Sequence, residues 1–354
     1  MRIIKTALCS FGMSGKVFHA PLLASNTGFL LYAVWERSMQ KANALYPEIK
    51  SFEHLEDMLA DVLIELVIVN TPNATHFQYA KMALLAGKHV VVEKQFASTV
   101  EEATELFALA ASVGKKITVF QNRRWDSDFL TVKKVVGQHR LGEVVEAEFH
   151  FDRFKTELGP KLHKETPGIG AGILPDLGPH LIDQALQMFG SPYAIFADGA
   201  AFRTASMVDD YFELLMFYKG LRVRLKASYL VREAIPAYVI HGTKGSFLKY
   251  RDDVQELALQ AGKSPGDEDW GVPSAATEGL LHTEIGAEVK KINLPSERGN
   301  YGIFYSRLYG AIVNDKPLPV TAAEALCLVH IIESAFKSIA EKKCVYLDPA
   351  ICKI

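Results

Sequence analysis

At 354 residues the chain is longer than a single hydrophobic core usually serves, so two domains are expected. Its 39 Lys and Arg stand against 41 Asp and Glu, a net charge of -2, which supplies no global field toward nucleic acid or a membrane surface. The four cysteines, Cys9, Cys327, Cys344 and Cys352, make no CxxC pair and no zinc-like spacing; they read as reduced thiols of a cytoplasmic protein, without signal peptide or bilayer span.

In chain order, apolar runs at Ile3 to Ser10, Phe29 to Trp35, Leu66 to Asn70, His89 to Glu93 and Lys116 to Gln121 alternate with helical patterns. That alternation predicts parallel strands with crossover helices, an α/β Rossmann-type domain over residues 1–122. Ser38 opens a predicted helix that Pro47 closes. Ser98-Thr99-Val100-Glu101 reads as a capping box for a helix that ends near Val113, with Gly114 as its stop.

From about residue 144 the pattern becomes strand-like alternation, in VVEAEFHFDRF, YFELLMFY, LRVRLKASYLV and AYVIHGTKGSFLKY. Residues 123–354 are therefore expected to form an α+β domain on an antiparallel sheet with one wet face. A helix is predicted from Pro179, at its first position, to Phe189, with Gly190 just past its end. Residues 251 to 300, rich in Gly, Pro, Ser and charge, are the least legible stretch and read as containing long loops. Thr321 to Glu341 carries a helical apolar stripe at Ala325, Leu328, Ile332, Ala335, Phe336 and Ile339.

The turn after the first strand reads Ser10-Phe11-Gly12-Met13-Ser14-Gly15, the G-x-G-x-x-G pattern of a pyrophosphate-binding turn with Ser in place of the first glycine. Glu36 follows the second strand, where an acceptor for a ribose 2'-hydroxyl belongs, and Arg37 beside it suits adenine or a 2'-phosphate. NAD and NADP therefore both stay open, as does the plain reading of a solvated strand end. Two more strand ends run into polar residues, Thr71-Pro72-Asn73 with His76, and Glu93-Lys94. Ligands of open parallel sheets sit outside such ends.

These motifs, together with GKVFHAPLL, NTPNATH, VVEKQFAST, QNRRWDSDF, LGEV and GAGILPDLGPHLID, resemble the Gfo/Idh/MocA oxidoreductases over nearly the whole chain. The resemblance implies a Rossmann domain followed by a domain with a large open, mostly antiparallel sheet. It implies hydride transfer between NAD(P) and a carbinol carbon of a sugar, cyclitol or related polyol without a metal. It also implies a homodimer or homotetramer joined through that sheet. Lys94 matches the lysine of the family's E-K-P segment, with Gln95 where the family has proline. Asp176, His180 and Asp183 match its D-x-x-x-H-x-x-D segment.

His180 and Asp183, three apart on a helix, share a face. An imidazole there suits the general acid/base of an alcohol oxidation, and a lysine suits the charge that develops on the reacting oxygen. Asp176, just before the helix, would bond substrate, orient the imidazole or cap the helix, and Asp183 would bind substrate or support the base. The same three residues suit a divalent metal, but no third strong ligand group accompanies them. Arg123, Arg124 and Trp125 follow the last Rossmann strand, which ends at Gln121, itself a cofactor candidate, and they lie where the resemblance places residues near the nicotinamide or the hinge; a packed Trp beside solvated arginines is the plain alternative. Arg153, sharing a strand face with Phe149 and Phe151, suggests a substrate or interface contact. Two other functions fit the same motifs: an NAD-dependent glycosidase working through transient oxidation, and a non-catalytic dinucleotide sensor.

Overall fold

The computed structural model describes residues 2–36, 41–159, 162–274, 277–286 and 288–354. The chain divides into two compact units. The first takes residues 1–122, 255–271 and 300–325, and the second takes the rest, so the first is not one continuous stretch.

The first unit is built on six parallel strands: β1 (Ile4–Leu8), β2 (Phe29–Trp35), β3 (Lys50–Phe52), β4 (Leu66–Val69), β5 (His89–Val92) and β6 (Ile117–Val119). Their order is β3-β2-β1-β4-β5-β6, the doubly wound arrangement that alternation predicts. Every residue of β4 is buried, because helices cover both faces of a central parallel strand. The helix Val100–Ser112 is capped one residue later than the sequence suggests: the Thr99 hydroxyl accepts the Glu102 N–H at 3.1 Å, and the Glu102 carboxylate accepts the Ser98 N–H at 2.8 Å. Gly114, at φ +64°, ends it as expected.

The predicted helix before Pro47 does not form over residues 41–47, which make turns; Ser38 lies outside the described residues. The Glu36 carboxylate takes the N–H groups of Lys41 and Ala42 there, at 3.0 and 3.2 Å. Within the same unit the helix Gly302–Asn314 buries Phe304, Tyr305 and Leu308, with Phe304 edge-on to Phe120 at 4.9 Å.

The second unit carries a nine-stranded sheet, ordered β14-β13-β12-β11-β7-β10-β9-β8-β15. Its strands are β7 (Val144–His150), β8 (Ala194–Ala200), β9 (Tyr211–Tyr218), β10 (Leu221–Ser228), β11 (Tyr238–Gly242), β12 (Gly245–Lys249), β13 (Gly279–Ile285), β14 (Glu288–Leu294) and β15 (Val345–Tyr346). All neighbours pair antiparallel except β7 with β10. Alternation in β9 is complete, each second side chain buried. Residues 251–300 hold more order than the expected loops, namely a helix at Gln255–Gln260 and the β13–β14 hairpin. β14 has no buried residue, which is why its sequence carries no apolar alternation.

The helix expected from Pro179 begins six residues earlier and runs Ile173–Phe189, with Pro179 inside it. Gly172 precedes it at φ +89°, and the segment at Asp209 supplies the cap: the Asp209 carbonyl accepts the Ile173 N–H and its carboxylate accepts the Leu174 N–H, both at 2.9 Å. A Cβ on Gly172 would fall 2.2 Å from an Asp209 oxygen, so glycine is required there twice over. The missing N–H of Pro179 removes one hydrogen bond, to Pro175.

Two further expectations change. Phe336 of the helix Ala322–Glu341 is 43% exposed, while its neighbours Cys327, Leu328, Ile331, Ile332 and Ala335 are buried. Cys327 and Cys352 are joined as a disulfide, because the C-terminal segment folds back onto that helix and brings their Cα atoms to 4.5 Å. Only Cys9 and Cys344 among the four remain as thiols. No helix among the described residues is long and apolar enough to cross a membrane.

Candidate functional site

In the first unit the turn after β1 is pinned to the end of β4. The Asn70 side chain accepts the Ser10 N–H at 3.0 Å and donates to the Ser10 carbonyl at 2.8 Å, and the Ser10 hydroxyl donates to the Asn70 carbonyl at 2.9 Å. This explains serine at the first glycine position. Ser10 does not adopt a positive φ, and its hydroxyl has a fixed partner. Gly15 is the demanding position, since a Cβ there would lie 2.3 Å from the Ser10 carbonyl oxygen and 2.7 Å from Asn70 Nδ2. Gly12 and Met13 are exposed, Ser10 and Ser14 half-buried, and the Phe11 ring is buried with its edge to Tyr46.

N–H groups at the start of the helical segment that follows have no upstream carbonyl, so the turn offers donors to an anionic pyrophosphate. The close approach at Gly15 is the feature such a group needs, and the turn fits it. Glu36 is at the edge of the sheet as expected, but both carboxylate oxygens already hold backbone N–H groups, leaving each one acceptor site for a ribose hydroxyl. Arg37 lies outside the described residues.

Thr71, Pro72 and Asn73 lie at the surface after β4, where a ligand can reach them. His76 and Gln121 correct the expectation of direct contact, being 0% and 2% exposed. His76 sits behind the surface with its ring nitrogens on the Gln95 and Thr71 carbonyls at 2.7 and 2.8 Å, tying the two loops together. Burial lowers its pKa.

Glu93 and Lys94 follow β5, and the Lys94–Gln95 peptide is cis. Glu93 accepts the Lys94 N–H at 3.1 Å and faces His19 Nε2 at 3.0 Å; His19 Nδ1 meets the Tyr305 hydroxyl at 2.6 Å. Burial opposes ionisation of Glu93, but the His19 hydrogen bond and the charges of His19 and Lys94 outweigh it and hold the carboxyl at about 2. A permanent carboxylate therefore anchors the segment that presents the half-buried Lys94. Neither His19, Tyr305 nor Asn70 was singled out by sequence; their partners are distant in the chain.

In the second unit Asp176, His180 and Asp183 share one face of the helix Ile173–Phe189. Asp176 is inside the helix, which corrects both the expected place before it and the capping role. Its carboxylate meets Lys164 at 2.8 Å. Asp183 is held by both its oxygens, by Arg124 Nε at 2.8 Å and Nη2 at 2.6 Å, a bidentate pair with Arg124 7% and Asp183 4% exposed. Arg124 is therefore not a solvated arginine, and Asp183 is committed to holding the helix. His180, between them, is 6% exposed and lies 6.4 Å from the Phe151 ring.

Arg123 reaches Asp126 at 3.3 Å and stacks over Phe151 at 5.0 Å; Trp125 is buried. Arg153 is exposed and lies 5.3 Å from the same ring. A cavity of about 220 Å³ is lined by Asp176 and Arg153, two of the predicted substrate residues, and by Lys155, Lys164, Tyr229 and Asp209, among others. Burial, then the charge of Asp176, pushes the Tyr229 phenol up to about 12, so it stays a donor at neutral pH. Burial likewise raises Asp209. No group of three metal-ligating side chains occurs among the described residues.

The arrangement can bind a dinucleotide on the first unit and a small polar molecule in the second, with a histidine one helical turn beyond Asp176 of the cavity lining. Comparison with known proteins agrees on the dinucleotide. Residues 4–121 match the family model of the oxidoreductase family with an NAD-binding Rossmann fold, and residues 129–248 match the GFO/IDH/MocA C-terminal domain. The chain is 36% identical to the Bacillus subtilis scyllo-inositol 2-dehydrogenase (NADP(+)) IolW, across 98% of this chain and 96% of that one. It is 39% identical to the Escherichia coli oxidoreductase YdgJ, itself uncharacterized, across 95% and 96%. A solved structure from Bacteroides fragilis is 44% identical, superposes with a TM-score of 0.90 and covers 98% of this chain and 100% of that one. The chain is thus an oxidoreductase that uses NAD or NADP, and it belongs to the Gfo/Idh/MocA family.

Proposed function

We propose that the protein transfers hydride between the nicotinamide of NAD(P) and a secondary alcohol of a sugar, cyclitol or related polyol, with His180 as general acid/base. The observation that carries this is the setting of His180, on one helix face between Asp176, which lines a cavity, and Asp183, which Arg124 anchors on both oxygens. A base fixed at that depth can take a hydroxyl proton without itself wandering.

When bound, the nicotinamide supplies the hydride acceptor or donor. In the oxidative direction the hydroxyl proton passes to a ring nitrogen of His180 as the carbon–hydrogen bond on the same carbon breaks, leaving a ketone. Lys94 donates a hydrogen bond to the reacting oxygen and stabilises its developing negative charge. Asp176 accepts from a neighbouring hydroxyl, and Asp183 keeps the helix in place through Arg124. IolW, which acts on a cyclitol, supports the polyol class. The reading extends to a cytoplasmic homodimer or homotetramer assembled through the nine-stranded sheet, checked by sedimentation of the purified protein.

The test is nicotinamide absorbance with a panel of aldoses and cyclitols. His180→Ala and Lys94→Ala should each lower kcat by about 10²–10⁴-fold while cofactor affinity and melting temperature hold. Full turnover in both variants sinks the assignment. Release of a chromogenic aglycone without net redox change turns it toward the glycosidase reading.

A further inference from the structure

The cavity of the second unit is unevenly provided with charge. Its three carboxylates each have a partner: Asp176 has Lys164, Glu165 has Arg203 at 2.8 Å and the Gly159 N–H at 2.6 Å, and Asp209 has the N-terminus of the helix Ile173–Phe189. Of its four cations, Lys164 and Arg203 are the partners just named, and Arg203 also pairs with Asp210. Arg153 and Lys155 remain. Neither forms an ion pair with a described carboxylate, and Lys155 reaches Glu165 only through its field.

Their placement is built rather than incidental. Residues 153 to 155 extend alongside the end of β10, with the Arg153 N–H on the Ser228 carbonyl at 2.8 Å and the Lys155 N–H on the Tyr229 carbonyl at 2.7 Å. Extended backbone puts residues two apart on one side, so both cations face the cavity while Phe154 between them bridges to Leu230. Aromatic faces support each: the Arg153 guanidinium lies 5.3 Å from the Phe151 ring and Lys155 Nζ lies 5.7 Å from the Tyr229 ring. A guanidinium stacked on a ring keeps its N–H edge for a ligand, and a planar or tetrahedral oxyanion matches that edge.

We infer that this pocket takes a sugar or polyol bearing an anionic group, a carboxylate or a phosphate, with Arg153 and Lys155 as its counter-charges. The inference rests on the polyol reading above for the body of the ligand and adds the charge. A purely neutral polyol would leave these two neighbouring cations on one side of the cavity without an ion-pair partner from the ligand.

The experiment is isothermal titration of the full chain, with NADP present, using glucose, glucuronate, glucose 6-phosphate and inorganic phosphate at low salt. Glucuronate or glucose 6-phosphate should bind at least about tenfold more tightly than glucose, and which of the two prevails separates carboxylate from phosphate. In Arg153→Gln/Lys155→Gln the ratio should collapse toward one, and added salt should shrink it in the wild type. Both positions are exposed, so an unchanged melting temperature verifies the fold. Equal affinity for glucose and its anionic relatives, a preference that survives in the double variant, tight binding of inorganic phosphate alone, or no binding of either anionic sugar overturns the inference. Turnover is read separately: binding without any nicotinamide turnover sinks the hydride-transfer reading and keeps this one, and turnover of neutral sugars without the binding preference does the reverse.

Discussion

Removing Asp183 should destabilise the helix Ile173–Phe189 more than any other single change on its face. The Arg124–Asp183 pair has two charge-assisted bonds at 2.8 and 2.6 Å, and its partners are 7% and 4% exposed. Asp183→Leu leaves the guanidinium buried with its main counter-charge gone. Breaking such a pair from one side costs about 3–5 kcal/mol, whereas replacing both partners by apolar groups is often close to neutral. The expected cycle is therefore a large loss for Asp183→Leu, a comparable loss for Arg124→Met, and recovery of most of it in the double variant. Amide exchange read on the helix itself avoids assuming one cooperative transition for a two-unit chain. At about 1.4 kcal/mol per decade, each single variant should lower protection there by roughly two to three and a half decades. Losses below about 1 kcal/mol, or a double variant no better protected than the worse single, would falsify the view of Asp183 as an anchored residue and reopen it as a substrate ligand.

Three other outcomes follow from the geometry. Gly15→Ala puts a Cβ 2.3 Å from the Ser10 carbonyl, so the Ser10–Asn70 pin must shift; fluorescence titration with NADH and NADPH should show affinity reduced by about 5- to 150-fold, the equivalent of about 1–3 kcal/mol of lost hydrogen bonding, and an unchanged Kd refutes the pin. Glu93, held at about 2 against an ordinary 4.5, binds its proton less readily folded than unfolded. Its stabilisation, of order 3 kcal/mol, is complete above about pH 4.5 and lost as pH falls toward about 2. The stability gap between wild type and Glu93→Gln should accordingly shrink over that window in urea titrations, and a gap constant with pH contradicts the assignment. Alkylation of the denatured, unreduced protein should label Cys9 and Cys344 alone, and reduction should lower stability by about 3.5 kcal/mol for a closed loop of this length; four labelled thiols refute the Cys327–Cys352 bond.

What sequence makes legible here is what local burial dictates. The runs LVIV and HVVV read as central parallel strands because helices cover them on both faces, and YFELLMFY reads as a strand with one wet face because β9 is one. Where a remote partner decides the outcome, the signal vanishes. The start of the helix Ile173–Phe189 depends on Asp209, more than thirty residues downstream, so a proline six residues inside it passes for its first position. Serine at position 10 weakens a fingerprint until Asn70 is seen to hold it. The edge strand β14 buries too little to show a period, and the sequence does not tell Arg124 from a solvated arginine until Asp183 is found beside it.

The D-x-x-x-H-x-x-D segment shows both sides of this. Spacing alone places Asp176, His180 and Asp183 on one helix face, and it makes the three look equivalent. Burial separates them: side-chain exposure is 17% at Asp176 and 4% at Asp183, with His180 6% exposed between. The carboxylate at the cavity wall bonds a lysine that is itself 43% exposed and can yield to a ligand, while the one in the core bonds an arginine that cannot move without uncovering a buried charge. One pair is exchangeable and the other fixed. A histidine between an exchangeable acid and a fixed one has its cavity side and its anchored side defined by chemistry that the spacing does not contain.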